Sequence, residues 1–368
     1  MPENIENLSF SSRCQFDEII DVRSPAEYAE DHIPGAVNLP VLSDAERHEV
    51  GKIYCQESRH EARRIGAAYI TKNVSHYLQQ YFSTKNSAYQ PLVYCWRGGM
   101  RSQSIATILN SVGWYTKVIA GGYKTWRHEV VSNLRESELA FPLILIDGQT
   151  GTSKTKILNK LNQLGHQTLD LEDLAKHRGS VFGSFEEIKQ PSQKYFESTI
   201  YDAFSQFDPQ RPVFLEAESP KIGRRAIPHA LVKKMRTSPR IELRASAEIR
   251  AANLLTTYAD LINTPERIVA ALEYLRPYHA ASSIQHWQLL VAQKSFGQLA
   301  LELIESHYDP CYQRQRQKHR EQTAHLIELK SLDDKNLTHA AREIGEKLAS
   351  FGVSQTSQAV LQPREVSA

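Results

Sequence analysis

Residues 143–155 read Leu-Ile-Leu-Ile-Asp-Gly-Gln-Thr-Gly-Thr-Ser-Lys-Thr, and this stretch decides the class of fold. The apolar run Leu143 to Ile146 has the length and purity of a buried parallel strand. After it, Gly148-Gln149-Thr150-Gly151-Thr152-Ser153-Lys154-Thr155 follows the phosphate-loop pattern G-x-x-x-x-S-K-T, with a helix expected to start near Lys154. Backbone amides and the helix dipole in such a loop cradle a diphosphate, Lys154 neutralises it and Thr155 is placed to ligate Mg²⁺. Ser153 stands where the pattern has glycine. A side chain there crowds the phosphate or shifts the backbone, which counts against nucleotide hydrolysis. A carboxylate at the end of a neighbouring strand commonly holds the metal or its waters, and Glu216, closing Val213-Phe214-Leu215-Glu216, is the candidate. Glu218, two residues on, reads equally well as a surface carboxylate. No residue set is assigned as a dedicated metal site.

The chain N-terminal to this loop repeats the grammar of strand, turn and helix. Glu18 to Val22, Pro91 to Tyr94 and Lys117 to Ala120 are short, apolar and bounded by turns, as parallel strands are, and the charge pairs of Leu42 to Ala88 predict helix. Pro91 to Tyr94 runs directly into Cys95-Trp96-Arg97-Gly98-Gly99-Met100-Arg101-Ser102. A thiol at a strand end, facing converging amides and a helix N-terminus with Arg97 and Arg101 close by, is biased toward thiolate. Gly98 and Gly99 let the backbone curl into an anion-binding nest. An isolated cysteine in this position is usually a small core residue, but two glycines and two arginines within six residues favour a nucleophile. Cys14 and Cys55 lack such surroundings and read as buried or incidental thiols; Cys311 lies beside a basic run. Wide spacing among the four cysteines gives neither a disulfide framework nor zinc-ligand pairs.

With 368 residues, the chain exceeds what one hydrophobic core usually holds. A boundary near residue 138 divides it into 1–138 and 139–368, the second part becoming mostly helical from about Ile241 and ending in a loose tail. Hydrophobic residues at 41% and charged residues at 23% exclude a disordered or low-complexity polymer. No apolar run approaches a membrane span, and Glu3 and Glu6 precede the first basic residue, so a cytoplasmic protein without a secretory leader is expected. The net charge of +2 does not by itself announce nucleic-acid binding. Two basic clusters stand out: Lys221, Arg224, Arg225, Lys233, Lys234, Arg236 and Arg240, and then Arg314, Arg316, Lys318 and Arg320. Each reads as a solvated face unless a polyanion is present.

The loop YCWRGGMRS, the segments Asp21-Val22-Arg23-Ser24-Pro25-Ala26-Glu27-Tyr28 and His32-Ile33-Pro34-Gly35-Ala36-Val37-Asn38, and Ala120-Gly121-Gly122-Tyr123 with Trp126 resemble a rhodanese domain. That resemblance implies a persulfide or related chalcogen carried on Cys95. The spacing Cys-x5-Arg is one residue longer than the common sulfurtransferase loop and matches dual-specificity phosphatases, so a larger or tetrahedral anion fits. Together with the phosphate loop, the chain resembles the tRNA 2-selenouridine synthases. This rests also on Leu42-Ser43-Asp44-Ala45-Glu46-Arg47, His177-Arg178-Gly179-Ser180-Val181-Phe182-Gly183, Glu216-Ala217-Glu218-Ser219 with Lys221-Ile222-Gly223, and Tyr308-Asp309-Pro310.

The resemblance implies an α/β protein, a rhodanese-like parallel-sheet domain followed by a P-loop NTPase-like α/β domain with a helical C-terminal extension. It implies a transferase that converts wobble 2-thiouridine of tRNA to 2-selenouridine through an S-geranyl intermediate. Selenophosphate, delivered by a supplying enzyme, and geranyl diphosphate are then co-substrates. Cys95 with Arg97 and Arg101 would carry selenium, and Gly148, Gly151, Ser153, Lys154, Thr155 and Glu216 would hold diphosphate. His177, Arg178, Lys221, Arg224, Arg225, Arg314 and Arg316 would meet tRNA phosphate, with Tyr308, Tyr312 or Trp287 available to stack on bases. The competing expectation is a persulfide-using sulfurtransferase with a regulatory P-loop domain.

Overall fold

The computed structural model describes residues 2–6, 9–136, 139–184, 188–316 and 323–347; of Glu136, Gln315, Arg316 and Thr323 it describes the backbone alone. The chain divides into two compact units, Met1–Ser137 with Pro191–Gln206, and Glu138–Gln190 with Phe207–Ala368.

In the first unit, β1 (Glu3–Ile5), β2 (Glu18–Asp21), β3 (Val37–Asn38), β4 (Pro91–Tyr94) and β5 (Lys117–Ile119) form a parallel sheet in the order β1-β5-β4-β2-β3. Every residue of β4 is buried, as a central strand covered on both faces requires. The stretch read as helical holds helices Asp44–Gln56 and Arg59–Gln79. Ser43 and Glu46 close a reciprocal capping box on the first, and Ser58 caps the second.

Helix Gln193–Ser205 corrects the expected division, in which all of 139–368 is one domain. It belongs to the first unit. The Trp126 indole N–H donates to Ser198 Oγ (3.2 Å), Arg127 pairs with Glu197, and Arg13 pairs with Asp202 (2.5 Å). The sequence hides this return because the helix is an ordinary amphipathic one whose apolar stripe does not say which core it meets.

The second unit holds β6 (Leu143–Gly148), β7 (Gln167–Leu169), β8 (Val213–Glu216), a small antiparallel hairpin of β9 (Lys221–Ile222) and β10 (Arg225–Ala226), then β11 (Arg240–Arg244) and β12 (Thr323–Glu328). Its five-stranded sheet is parallel, in the order β12-β11-β6-β8-β7. Helices Lys154–Gln163 and Asp334–Glu346 contribute Ile157, Leu158, Leu161, Leu337 and Ile344 to the core, against Ile144, Ile146, Ile241 and Leu243.

Strands β11 and β12 interrupt a region read as mostly helical. In β11 the period is two. Ile241 and Leu243 are fully buried, while Arg240 pairs with Asp147 (2.9 Å) and Glu242 with Arg244 (2.8 Å). Ion pairing makes burial of those charges tolerable and hides a central strand behind a charged sequence. Arg240 is thus no part of a solvated basic face. Between the two strands, helices Ala247–Thr257, Pro265–Glu273, Ala281–Ala292 and Phe296–Leu303 enclose an apolar cluster centred on Leu272, Leu275, Ile284 and Trp287. Trp287 is only 3% exposed, so it is a core residue and not a stacking platform. Among the described residues, no helix is long and apolar enough to cross a membrane. The carboxy-terminal tail falls outside the described residues.

Candidate active sites

The thiol site is made where β4 ends. Cys95 is buried, and helix Met100–Val112 begins five residues later. Its Sγ lies 3.2 Å from Ser102 Oγ and 3.9 Å from the Gly99 carbonyl oxygen. The loop is locked from behind by the turn after β5. Tyr123 N–H donates to the Cys95 carbonyl (2.8 Å) and Lys124 N–H to that of Trp96 (3.0 Å). Gly122 has φ +62°, and a Cβ there would stand 2.2 Å from the Cys95 carbonyl oxygen and 2.6 Å from Gly98 N, so glycine alone fits.

The two arginines behave differently. Arg101 is held by Glu27 (2.6 Å), whose carboxyl sits below the ordinary range because Arg101 hydrogen-bonds it against the opposing effect of burial. Arg97 is exposed and makes no ion pair among the described residues, so its guanidinium is available to an arriving anion. Beneath the sheet end, Arg23 is 1% exposed, pairs with Asp21 (2.6 Å) and donates to the Asp31 carbonyl. The segments Asp21 to Tyr28 and His32 to Asn38, which carry the rhodanese resemblance, thus brace the loop and do not line it. Cys14 and Cys55 are exposed, which leaves the incidental one of the two readings given for them, while Cys311 is half-buried and accepts from Arg314 (3.1 Å).

The phosphate loop joins β6 to helix Lys154–Gln163, as strand, turn and helix. Ser153 takes φ +62°, ψ +34°, the left-handed conformation that glycine supplies elsewhere at this position; a non-glycine residue accepts it at a cost of about 1–2 kcal/mol. Ser153 Oγ is buried and has no hydrogen-bond partner among the described residues, which leaves a donor for an anionic oxygen. The departure from the pattern therefore adds a hydroxyl at the price of a left-handed backbone. Lys154 Nζ donates to the Gly148 carbonyl (3.1 Å) across the loop.

Three residues that sequence spacing could not connect complete this site. Arg250, 2% exposed, donates to the Thr150 carbonyl (3.2 Å) and forms a two-pronged pair with Asp309 (2.9 and 2.8 Å). Asn253 donates to the Gly151 carbonyl (3.0 Å). Tyr308-Asp309-Pro310 thereby becomes a support for the phosphate loop, reached through a wider π turn at Ile304–Tyr308. Glu172, from the short helix Leu171–Ala175, comes next to Glu216 and Glu218, with one ligand atom of each within 4.8 Å of the others. Burial raises all three carboxyls, repulsion from Glu218 and Glu216 adds to the rise at Glu172, and Lys154 opposes it. Glu218, two residues past Glu216 and beyond the end of β8, lies on the same side as Glu216, which corrects the surface reading.

An apolar cavity adjoins the loop at Thr150. Leu254, Leu255, Leu261, Ile268, Phe296 and Leu299 line it together with Tyr258 and Tyr308.

The residues assigned to polyanion contact are spread over several roles. His177 accepts from Gly179 N–H through Nδ1 (3.1 Å). Arg178 is engaged by Asp260 (3.0 Å) and lies over the Tyr258 ring, so it shapes the cavity wall. Lys221, Arg224 and Arg314 are exposed; Arg225 is half-buried; the Arg316 side chain and the remaining run to Arg320 lie outside the described residues. Tyr308 is half-buried in the cavity wall and is not presented for stacking. The fully displayed aromatics are Tyr274 and Tyr278, at 73% and 72% exposure, which the sequence did not distinguish from other tyrosines.

Residues 3–129 match the rhodanese-like domain model, and residues 141–273 match a model described as the tRNA 2-selenouridine synthase AAA domain. Curated relatives carry the same name. That of Nitrosomonas europaea is 34% identical over 67% of this chain and 64% of its own length; that of Shewanella denitrificans is 35% identical over 66% and 65%. These two are thus matched over slightly less than two thirds of their length. The relative from Marinobacter nauticus is 30% identical over 81% of this chain and 88% of its own.

Proposed function

Because the chain belongs to the tRNA 2-selenouridine synthase family, we propose that it exchanges sulfur for selenium at 2-thiouridine in a tRNA anticodon, in two steps served by separate sites. In the first, the thione sulfur attacks C1 of geranyl diphosphate, the C–O bond to diphosphate breaks, and N3 of the base loses its proton. Lys154, Ser153 and the loop amides bind the diphosphate and take up the charge that grows on it as it leaves. In the second, selenophosphate is held in the Cys95 loop with Arg97 meeting the tetrahedral anion; its selenium attacks C2, the C2–S bond breaks and geranyl thiol leaves. The Cys95 thiolate then takes the phosphoryl group from selenium, which frees 2-selenouridine, and water releases that group as phosphate.

The observation that carries this reading is the apolar cavity whose lining includes Thr150 of the phosphate loop. A nucleotide donor has a polar base and ribose to place beyond its phosphates. A prenyl donor has only hydrocarbon, and burying ten carbons at about 0.8 kcal/mol each supplies most of its recognition. The left-handed Ser153 fits a loop that binds diphosphate without activating water. The exposed cations Lys221, Arg224 and Arg314 supply sequence-independent attraction for tRNA phosphate.

The test is nucleoside mass spectrometry of tRNA from cells grown on selenite, with and without the gene. Selenouridine unchanged by deletion would refute the activity. Cys95→Ala is expected to keep geranylated nucleoside and lose selenouridine, while Lys154→Ala loses the geranylated species; equal loss of both steps in Cys95→Ala would refute the division of labour.

A further inference from the structure

We infer that Glu172, Glu216 and Glu218 bind one hard divalent cation, Mg²⁺ or Mn²⁺, beside the phosphate loop and without needing a phosphate ligand to hold it. The three carboxylates come from separate places in the chain: a short helix, the end of β8, and the turn after it. One ligand atom of each lies within 4.8 Å of the other two. Glu216 is 2% exposed, and its Oε1 has no hydrogen-bond partner among the described residues. A buried carboxylate oxygen with empty lone-pair positions is costly, and two more carboxylates alongside increase that cost.

Lys154 is the cation that all three share, and its ammonium is also committed to the Gly148 carbonyl. Three negative charges against one positive leave a deficit that a divalent ion cancels. The donor set is oxygen only, with the Thr155 hydroxyl hydrogen-bonded to Glu216 as a further oxygen, which selects hard cations over zinc or copper. Gly179 guards the space. A Cβ on it would lie 2.4 Å from Glu172 Oε1 and 3.2 Å from Glu218 Oε2, so any side chain would fill the gap above the carboxylates. This deepens the reading given above, on which it relies only for what the cation faces: a bound diphosphate, whose charge adds to that of the cluster.

The experiment uses the full chain, stripped with chelator and titrated with Mn²⁺ alone, free Mn²⁺ being followed by electron paramagnetic resonance. One Mn²⁺ per chain is expected, displaced by Mg²⁺. Glu172→Gln and Glu218→Gln should each weaken binding at least tenfold, while Glu305→Gln, an exposed carboxylate elsewhere, leaves it unchanged. In chelator the two Gln variants should melt no lower than the parent, because each removes repulsion, and this separates a lost ligand from a lost fold. Absence of stoichiometric Mn²⁺, or undiminished affinity in both variants, overturns the inference and leaves protons as the cluster's counter-charge. Binding is measured without tRNA or prenyl donor. A chain that binds no Mn²⁺ yet forms geranylated nucleoside sinks only this inference, and the converse sinks only the geranyl-transfer reading.

Discussion

Replacing Arg250 by Met tests whether the phosphate loop is held from outside. Arg250 and Asp309 are joined by two charge-assisted bonds of 2.9 and 2.8 Å, with side-chain exposures of 3% and 16%. The same guanidinium satisfies the Thr150 and Ala245 carbonyls at 3.2 and 3.1 Å. Methionine fills much of the volume but leaves the Asp309 carboxylate without its partner, and breaking a pair this buried costs about 3–5 kcal/mol. Asp309→Asn keeps a neutral acceptor and is expected to cost about 1–2 kcal/mol. In Arg250→Met/Asp309→Asn the orphaned charge is gone, so the double variant should recover at least 2 kcal/mol relative to the sum of the single changes. Urea unfolding read by pulsed hydrogen exchange scores peptides of the second unit separately from the first. Binding of geranyl diphosphate should fall at least tenfold in Arg250→Met, since the Thr150 carbonyl is no longer fixed. A cost below about 1 kcal/mol, or strict additivity in the double variant, would refute the idea that Tyr308-Asp309-Pro310 is there to brace the loop.

Three further outcomes follow from the same geometry. Gly122→Ala forces a Cβ against the Cys95 carbonyl and should cost the first unit about 3 kcal/mol, with selenium transfer lost and prenyl-diphosphate binding intact; normal selenation by this variant would contradict the interlocked loops. Dimethylallyl diphosphate, five carbons shorter, forgoes about 4 kcal/mol of burial and should be used roughly 10³-fold less well than geranyl diphosphate in competition assays, whereas equal use would mean the cavity is not the hydrocarbon site. In chelator, the second unit should lose stability as pH rises above the ordinary carboxylate value of 4.5, because native Glu172, Glu216 and Glu218 retain protons that the unfolded chain releases; thermal midpoints independent of pH between 5 and 9, or a slope unaltered by Glu172→Gln, would oppose this.

Both loops were legible because their chemistry is local. A strand end, a run of glycines and hydroxyls and a helix start all lie within a dozen residues, and Cys95 and Lys154 fall where the pattern puts them. The supports were not, because they are contacts between distant segments. Glu172 carries no mark that distinguishes it from Asp173, and Arg250 sits in a helix indistinguishable by composition from its neighbours. Arg240 looked like part of a basic face because sequence does not show that Asp147 waits beside it. Trp287 and Tyr308 were offered for stacking on the strength of residue type, but the apolar spacing of their helices buries the one and sets the other in a cavity wall.

The return of helix Gln193–Ser205 to the first unit has a consequence for biosynthesis. A ribosome that has released residues 1–137 has not yet made Ser198, Glu197 or Asp202, so the partners of Trp126, Arg127 and Arg13 are still to come. The first unit therefore cannot finish folding until β6 and β7, two of the five strands of the second unit's sheet, have been made, and a gene truncated at the apparent boundary would yield a fragment with an open seam. Swapping either half between relatives succeeds only if the crossover carries that thirteen-residue helix along with the amino-terminal portion.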